Sequence, residues 1–200
     1  MSAARPEKTR PLIATNILAL SGSLGRRSSN TELLRAAQRL CAGAAQVVIY
    51  EGLRDIAPFD PDLEDDAAPE PVKNLRALIS SADGVLISSP EYAHGVSGVL
   101  KNALDWTVST GDFYDKAVAV LNASPRATIA LEAMKENLRT MGARLVEEAS
   151  ITVAVMSRRL DADEIAADAE IAGAVRSAMT AFVRGIDALK LAKAAMESGN

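Results

Sequence analysis

Several protein classes are excluded by what the sequence lacks. Its single cysteine, Cys41, excludes a disulfide framework or a cysteine-based metal site within one chain. No apolar run approaches the roughly 18 residues of a membrane span, and residues 1–11 (MSAARPEKTRP) lack the apolar stretch of a signal peptide. Positive charge is not in excess either: the formal net charge is −4, which argues against nucleic-acid binding. We expect a cytoplasmic protein with neither a membrane nor a nucleic-acid partner.

The composition that is present suits one globular domain. The chain has 200 residues, of which 48% are hydrophobic, enough for a sizeable core. Charges and prolines crowd residues 1–11, and we expect an N-terminal extension there, followed by a single domain over residues 12–197. One segment, Pro58–Pro71 (PFDPDLEDDAAPEP), carries acids and no base. The prediction for it is a solvated loop, with a loop over the site or at a subunit contact as the alternatives.

Short β-branched apolar runs alternate with segments whose apolar residues recur every three or four positions. Helical patterns occupy residues 33–41, 72–82, 96–104, 131–141 and 165–189, the last as one long helix. This alternation predicts an α/β fold, a flavodoxin-like doubly wound sheet of five parallel strands in the order 2-1-3-4-5 with helices on both faces. Cys41 falls on the apolar stripe of the first helix, so we expect a small core residue. The strand candidates are Ile13–Leu20, Gln46–Tyr50, Gly84–Ser88, Ala117–Asn122 and Glu148–Val155.

The loop after the first strand, GSLGRRSSN (residues 22–30), lies where a doubly wound sheet binds ligands, beyond the carboxyl ends of its strands. Ser29, followed three residues later by Glu32, has the spacing of a capping box and predicts the start of a helix. The free N–H groups and the positive end of the dipole at a helix start stabilise an anion. Further donors are available beside it: Ser23, Ser28, Asn30, and either Arg26 or Arg27.

Two common phosphate-binding loops are absent, because the sequence contains neither GxGxxG nor Gly-Lys-Ser/Thr. A loop rich in hydroxyl groups suits a phosphate monoester held without a metal, as flavodoxin-like sheets hold the phosphate of FMN. From this loop alone, phosphate binding and a merely capped turn between a strand and a helix are both open.

A second loop follows the third strand, SSPEYAHGVSGVLKNALDW (residues 88–106). Together with the first loop it resembles the NADPH-dependent FMN reductase family, whose members share a GSLRxxSxN loop after strand one. They also share a PEYN-x3-PG-x-LKNA-x-DW stretch after strand three. The resemblance spans roughly residues 13–155, and the second motif is the more specific of the two.

The resemblance implies an FMN site built from three loops. The first loop would bind the FMN phosphate, the second would wrap the flavin ring largely through backbone groups, and the loop after strand four would meet the other edge of the ring. The implied cofactor-binding residues are Ser23, Gly25, Arg26, Ser28, Ser29 and Asn30, then Pro90, Glu91, Tyr92, Ala93 and His94, and finally Ser124 and Pro125.

This chain departs from the family pattern at positions that bear on flavin affinity and on nicotinamide preference. Gly25 replaces the arginine usual in the phosphate loop, where Arg26 can reach the same oxygen. Ala93 replaces the asparagine of PEYN, and Ser97 replaces the proline before Gly98. After Ser124-Pro125, residues 126–130 read RATIA where relatives often have a glycine-rich turn.

The resemblance implies an enzyme in which NADPH or NADH reduces bound FMN. The flavin then passes electrons to a small acceptor such as free flavin, a quinone or an azo compound. The cofactor carries the chemistry, so we assign no catalytic residue. Two alternatives stay open: a non-enzymatic electron carrier of flavodoxin type, and a family member that no longer holds flavin and serves as a binding module. Relatives also imply a homodimer or homotetramer with sites near subunit contacts.

Several residues of the second loop have an ordinary interpretation beside the functional one. His94, the only histidine, is a surface residue, a ligand contact or, least favoured, a proton donor. Lys101 and Asp105 form an i,i+4 pair, and with Asn102 they lie on a face that is either solvated or a subunit contact. Trp106 is predicted to pack in the core or at an interface.

Overall fold

Six parallel strands form the central sheet of the computed structural model, which describes residues 15–63 and 67–198. The sheet order is β2-β1-β3-β6-β7, and β8 pairs with β6 beyond β7. The N-terminal extension and the first two residues of the first predicted strand lie outside the described residues. In chain order the strands are β1 (Thr15–Ser21), β2 (Ala45–Tyr50), β3 (Gly84–Ser88), β4 (Glu91–Tyr92), β5 (Gly95–Val96), β6 (Ala117–Asn122), β7 (Arg144–Leu145) and β8 (Ile151–Thr152), of which β4 and β5 form a separate antiparallel hairpin.

Helices cover both faces of the sheet, which confirms the predicted α/β class with a mainly parallel sheet. Alternate residues of β1 enter two different cores, Ile17 and Ala19 on one face and Leu18 and Leu20 on the other. The first core is closed by α1, α5 and α6, the second by α2, α3 and α4. The helices are α1 (Ser29–Leu40), α2 (Glu70–Ser81), α3 (Gly98–Asp105), α4 (Ile129–Thr140), α5 (Ala162–Ala167) and α6 (Ala169–Ser198).

Only Ile151–Thr152 (β8) of the fifth predicted strand, Glu148–Val155, is a strand. An additional short strand, β7, precedes this range, and a 3-10 turn over Glu147–Ala149 lies between β7 and β8. The hydroxyl of Ser150 accepts a hydrogen bond from the N–H of Val120 at 3.1 Å, so a side chain interrupts the backbone ladder beside β6. Ala149 turns into the core and is 1% exposed. The turn places Ala149 in the core and interrupts the strand.

The long C-terminal helix predicted from the pattern of residues 165–189 is divided at Asp168. The backbone of Asp168 is extended, with ψ of 113°, and the carboxylate of Asp168 accepts a hydrogen bond from the N–H of Ile171 at 3.1 Å. Aspartate is among the best N-terminal capping residues, and here that preference outweighs continuation of the helix. Ile165 consequently belongs to the short α5 while the later apolar residues belong to α6.

Helix α6 is buried along its first half and exposed beyond it. Ile186 is its last buried residue, whereas Leu191 and Met196 are 72% and 76% exposed. Although α6 has 30 residues, neither it nor another helix in the described ranges combines the length and apolar composition that a bilayer span requires. Cys41 is buried in the core on the α1 side, as predicted.

Two residues of the second motif, Asn102 and Trp106, form hydrogen bonds to the chain at the start of the acidic segment. Trp106 is fully buried and donates from Nε1 to the carbonyl of Ala57 at 2.8 Å, which confirms core packing. Asn102 donates to the same carbonyl at 2.9 Å and accepts from the N–H of Phe59 at 2.8 Å. Asn102 is half-buried and its amide is used inside the protein, while a subunit contact on this face stays a prediction. Lys101 and Asp105 form the expected exposed ion pair.

Candidate functional site

A cavity of about 860 Å³ opens beyond the carboxyl ends of the central strands. The parallel register pairs Ser21 at the end of β1 with Ser88 at the end of β3, so the two predicted loops leave the sheet side by side. The loops after β6 and β8 border the same cavity. The structure thus brings all three predicted loops to one rim of the sheet, where doubly wound folds bind ligands.

Hydrogen bonds join the first and second loops directly. The N–H of Gly22 donates to the carbonyl of Ser88 at 2.8 Å, and the hydroxyl of Ser88 donates to Oδ1 of Asn30 at 3.0 Å. A Cβ added to Gly22 would collide with Oγ of Ser89 and lie 2.8 Å from Cβ of the same residue. The close approach of the two loops therefore requires glycine at position 22.

The first helix begins one residue away from the predicted cap. Ser28, not Ser29, is the N-cap, and its hydroxyl accepts from the N–H of Thr31 at 3.4 Å. The predicted capping box between Ser29 and Glu32 is wrong. The carboxylate of Glu32 instead accepts from the N–H of Ala162 at 3.0 Å and ties the start of α5 to α1. The start of α1 still faces the cavity, because Ser28 and Ser29 line it.

The structure brings eight of the predicted site residues to the wall of the cavity. Five others lie outside its lining: Gly25, Arg26, Ala93, His94 and Pro125. Of the two arginines in the first loop, Arg27 lines the cavity and Arg26 does not. The eight that line it are Ser23, Ser28, Ser29, Asn30, Pro90, Glu91, Tyr92 and Ser124.

The motif Glu91–Val96 forms a hairpin with a two-residue turn. Both turn residues have positive φ, 48° for Ala93 and 59° for His94, which is the pattern of a type I′ turn. Asparagine and histidine tolerate this left-handed region far better than alanine does. The left-handed conformation of this turn therefore explains the asparagine usual in the family pattern at position 93. This chain has alanine there instead.

We expect Ala93→Asn to raise the free energy of unfolding by roughly 0.5–1 kcal/mol, since the left-handed conformation costs alanine about that much or more. Urea unfolding of the two proteins measures the difference. Ala154→Asn is the matched control, because Ala154 is exposed and lacks a positive φ. Equal effects of the two substitutions would show that the turn conformation is not the cause.

Glu91 connects this hairpin to the start of α4. Its side chain, 12% exposed, accepts at Oε2 from the N–H of Ala130 and at Oε1 interacts with Nδ1 of His94, both at 2.9 Å. The N-cap residue of α4, Thr128, makes no side-chain hydrogen bond to the helix, so Glu91 supplies the capping acceptor from another loop. The bond from Ala130, followed by that to His94, holds the pKa of Glu91 below its ordinary value. His94 is thereby directed to Glu91, and its side chain is 76% exposed.

We expect Glu91→Gln to destabilise the protein at neutral pH and to matter less in acid. The pKa of Glu91 is lower in the folded chain, so its contribution is complete above the unfolded value of about 4.3 and is lost as the pH falls through the folded value. Unfolding midpoints of both proteins, measured from about pH 7 to about pH 3, should converge toward acid. A gap that stays constant would contradict this role. Glu197→Gln, at the exposed end of α6, is the control.

Sequence reasoning missed the loop after β8 and part of the loop after β6. The fifth predicted strand ends at Val155, so the carboxyl-end rule points to residues 156–161 as a further loop at this rim, but no motif marks them. Asn122, 4% exposed, shapes the loop after β6 by donating from Nδ2 to the carbonyls of Ser124 and Ala127. Arg27, which the sequence offered as the alternative to Arg26 for the anion, lines the cavity. The other cavity-lining residues not predicted as cofactor contacts are Glu32, Ser89, Asn122, Ala123, Arg126, Ala127, Met156, Arg159, Leu160, Asp161 and Glu164.

Comparisons with known proteins bear on the family and the fold. Residues 15–156 match the family described as NADPH-dependent FMN reductase. A probable NADPH:quinone oxidoreductase 2 of Oryza sativa subsp. japonica is 40% identical over 115 residues, which is 56% of this chain and 57% of that protein. An NADH:(hydroxy)cinnamate reductase subunit, CrdA of Vibrio ruber, is 40% identical over 110 residues, 54% of each chain. The chain spans only about half the length of these relatives.

A solved structure covers more of the chain. FerB, a flavoenzyme NAD(P)H:(acceptor) oxidoreductase from Paracoccus denitrificans, superposes with a TM-score of 0.73 at 27% identity. The superposition covers 87% of this chain and 98% of that chain. The relatives' names include both NADPH and NADH as donors, so similarity alone leaves the donor open.

Proposed function

The chain belongs to the NADPH-dependent FMN reductase family, and from that membership we propose that it binds FMN in the cavity at the carboxyl end of the sheet. In this proposal NADPH or NADH reduces the flavin, and the electrons pass to a small acceptor of the quinone type. The observation that carries the proposal is the meeting of the GSLGRRSSN loop and the PEYAHG hairpin at one cavity. These segments are remote in sequence and contain the two motifs of the family.

The residues present fit an FMN phosphate at the start of α1. Ser28 and Ser29 offer backbone N–H groups and hydroxyls at the positive end of the helix dipole. Asn30 uses Oδ1 as the acceptor for Ser88, an arrangement that leaves the amide donors of Asn30 for a ligand. Ser23 and Arg27 line the same cavity and can add a hydroxyl and a positive charge.

The size of the cavity suits a nucleotide-sized ligand. Its volume of about 860 Å³ falls in the range of roughly 300–1,000 Å³ typical of ligand and cofactor sites. The absence of a side chain at Gly22 lets the first loop lie against Ser89, which lines the cavity. Pro90, Glu91 and Tyr92 form the wall on the side of the second loop.

When bound, FMN supplies the redox chemistry, since it accepts hydride from a nicotinamide and returns the electrons to an acceptor. The residues of this chain bind and orient. The start of α1 fixes the phosphate end, and the hairpin, held to α4 by Glu91, fixes the wall near Tyr92. We assign no residue to proton transfer or nucleophilic catalysis, because positioning of two stacked rings suffices for hydride transfer.

The proposal is tested by purifying the protein in excess FMN and adding NADPH or NADH without oxygen. A yellow complex that bleaches with a pyridine nucleotide and recovers its colour with a quinone is the expected result. A yellow complex that no pyridine nucleotide bleaches would identify an electron carrier instead. Protein that retains no flavin would identify a binding module, and either outcome would overturn the proposal.

We propose further that the protein is a homodimer or a homotetramer. Support comes from the segment directly after α3, where Val108 is 58% and Tyr114 is 70% exposed. Large exposed apolar side chains favour burial against a second surface. Light scattering after gel filtration determines the subunit number, and a monomeric mass at micromolar concentration would contradict this assembly.

A further inference from the structure

Three arginines line the cavity, more than one phosphate group requires. They are Arg27 in the first loop, Arg126 after β6 and Arg159 after β8. Within the described ranges none of the three forms an ion pair, whereas the neighbouring Arg158 pairs with Asp168 at 2.7 Å. The side chains are exposed to the solvent at the cavity. Their charge is therefore available to a ligand.

The carboxylates of the same cavity are used within the protein. Four carboxylates line the cavity. Each of them accepts a hydrogen bond from a backbone N–H group at or next to the start of a helix. In the described ranges none of the four pairs with Arg27, Arg126 or Arg159, so the N–H donors of these three guanidinium groups remain available to an anionic ligand. Glu32 accepts from Ala162 and Arg35, Glu91 from Ala130 with His94 beside it, Asp161 from Asp163 and Glu164, and Glu164 from Asp161.

Arg126 and Arg159 stand on two loops that are joined to each other. The N–H of Met156 donates to the carbonyl of Ala123 at 3.1 Å, which links the loop after β8 to the loop after β6. Arg159 has φ of 53°, a left-handed conformation that costs a non-glycine residue about 1–2 kcal/mol. Strain of this kind persists where the surrounding structure imposes it, and it clusters at ligand sites. Arg158, fixed to Asp168, is part of that surrounding structure.

Resting on the proposed function, we infer that Arg126 and Arg159 bind the 2′-phosphate of NADPH and so select NADPH over NADH. Arg27 adjoins the N-cap of α1 and is assigned to the FMN phosphate. Arg126 and Arg159 belong to the loops after β6 and β8 and remain for the second substrate. NADPH differs from NADH by one anionic group, the 2′-phosphate. Guanidinium groups recognise phosphate oxygens well, because their planar N–H donors match the phosphate geometry.

The test measures binding of two adenosine phosphates to the FMN-loaded protein by titration calorimetry. The probes are 2′,5′-ADP and 5′-AMP, which differ by the 2′-phosphate alone. Arg126→Ala and Arg159→Ala should each weaken 2′,5′-ADP about tenfold, the effect of one charge-assisted contact, and leave 5′-AMP within about twofold. Arg176→Ala, an exposed arginine of α6 outside the cavity, is the matched control and should change neither affinity.

Kinetics supply a second readout on the same variants. In each, the KM for NADPH should rise about tenfold while the KM for NADH and the bound FMN stay unchanged. Equal weakening of both probes, or of both nucleotides, would overturn the inference, because the arginines would then contact a group common to the two. Loss of FMN from the wild type would instead refute the proposed function, so the two failures are distinguishable.

Discussion

Trp106→Ala is expected to lower the free energy of unfolding by about 3–5 kcal/mol, the usual cost of removing a buried aromatic side chain. Trp106 is fully buried and meets Phe59 edge to face, with ring centroids 5.1 Å apart. The guanidinium of Arg76 lies 6.0 Å from the centroid of the indole and donates from Nε to the carbonyl of Trp106 at 2.8 Å. Alanine would leave a cavity between α2, α3 and the segment at residues 57–59.

Trp106→Phe separates ring packing from the indole hydrogen bond. The carbonyl of Ala57 also accepts from Asn102, so it keeps a partner in this variant. We expect a smaller loss of about 1–2 kcal/mol. Since Trp106 is the only tryptophan, circular dichroism rather than fluorescence should follow unfolding in urea. A loss below about 1 kcal/mol for Trp106→Ala would contradict the packing described here.

Gly22→Ala has the largest expected effect on ligand binding. The added methyl would lie 2.8 Å from Cβ of Ser89 and 2.8 Å from Oγ of Ser97, distances at which one of the two loops must move. We expect FMN affinity to fall at least about tenfold and stability to fall by roughly 1–3 kcal/mol, as for overpacking elsewhere. Flavin titration and urea unfolding measure the two effects.

Two further variants test the cause. Gly98→Ala adds the same methyl at the start of α3, where nothing lies within 4 Å, and should leave FMN affinity unchanged. Ser89→Gly in the Gly22→Ala background removes both nearest Ser89 atoms and should restore part of the affinity. Equal losses in Gly22→Ala and Gly98→Ala would contradict the close approach of the loops.

The parts of the fold that follow from local apolar pattern were predictable. The unbroken apolar run Ile17–Leu20 reflects a strand buried on both faces, and the stripes of α1 to α4 reflect helices buried on one face. The division of the last helix at Asp168 was not predicted, since an aspartate in an apolar pattern also suits an exposed helical position. The break of the fifth strand at Ser150 depends on a side chain that bonds to β6, a contact between elements remote in sequence.

The candidate site shows the same distinction. Ser28 and Tyr92 were found because their loops carry motifs, and the sheet topology explains why those loops meet. Glu32 was misassigned because a capping-box spacing records only local preference, whereas its partner, the N–H of Ala162, lies 130 residues away. Arg159 carries no local signal, since its left-handed backbone and its place at the cavity arise from tertiary contacts of its loop.

The bonds from Gly22 to Ser88 and from Ser88 to Asn30 join protein groups alone. The two loops are therefore already ordered in the free protein, and cofactor binding costs little additional conformational entropy. Exchange of flavin with the medium should therefore be reversible without refolding. The colour of the purified protein will report how much flavin the host cell provided, and added FMN should raise the melting temperature by mass action.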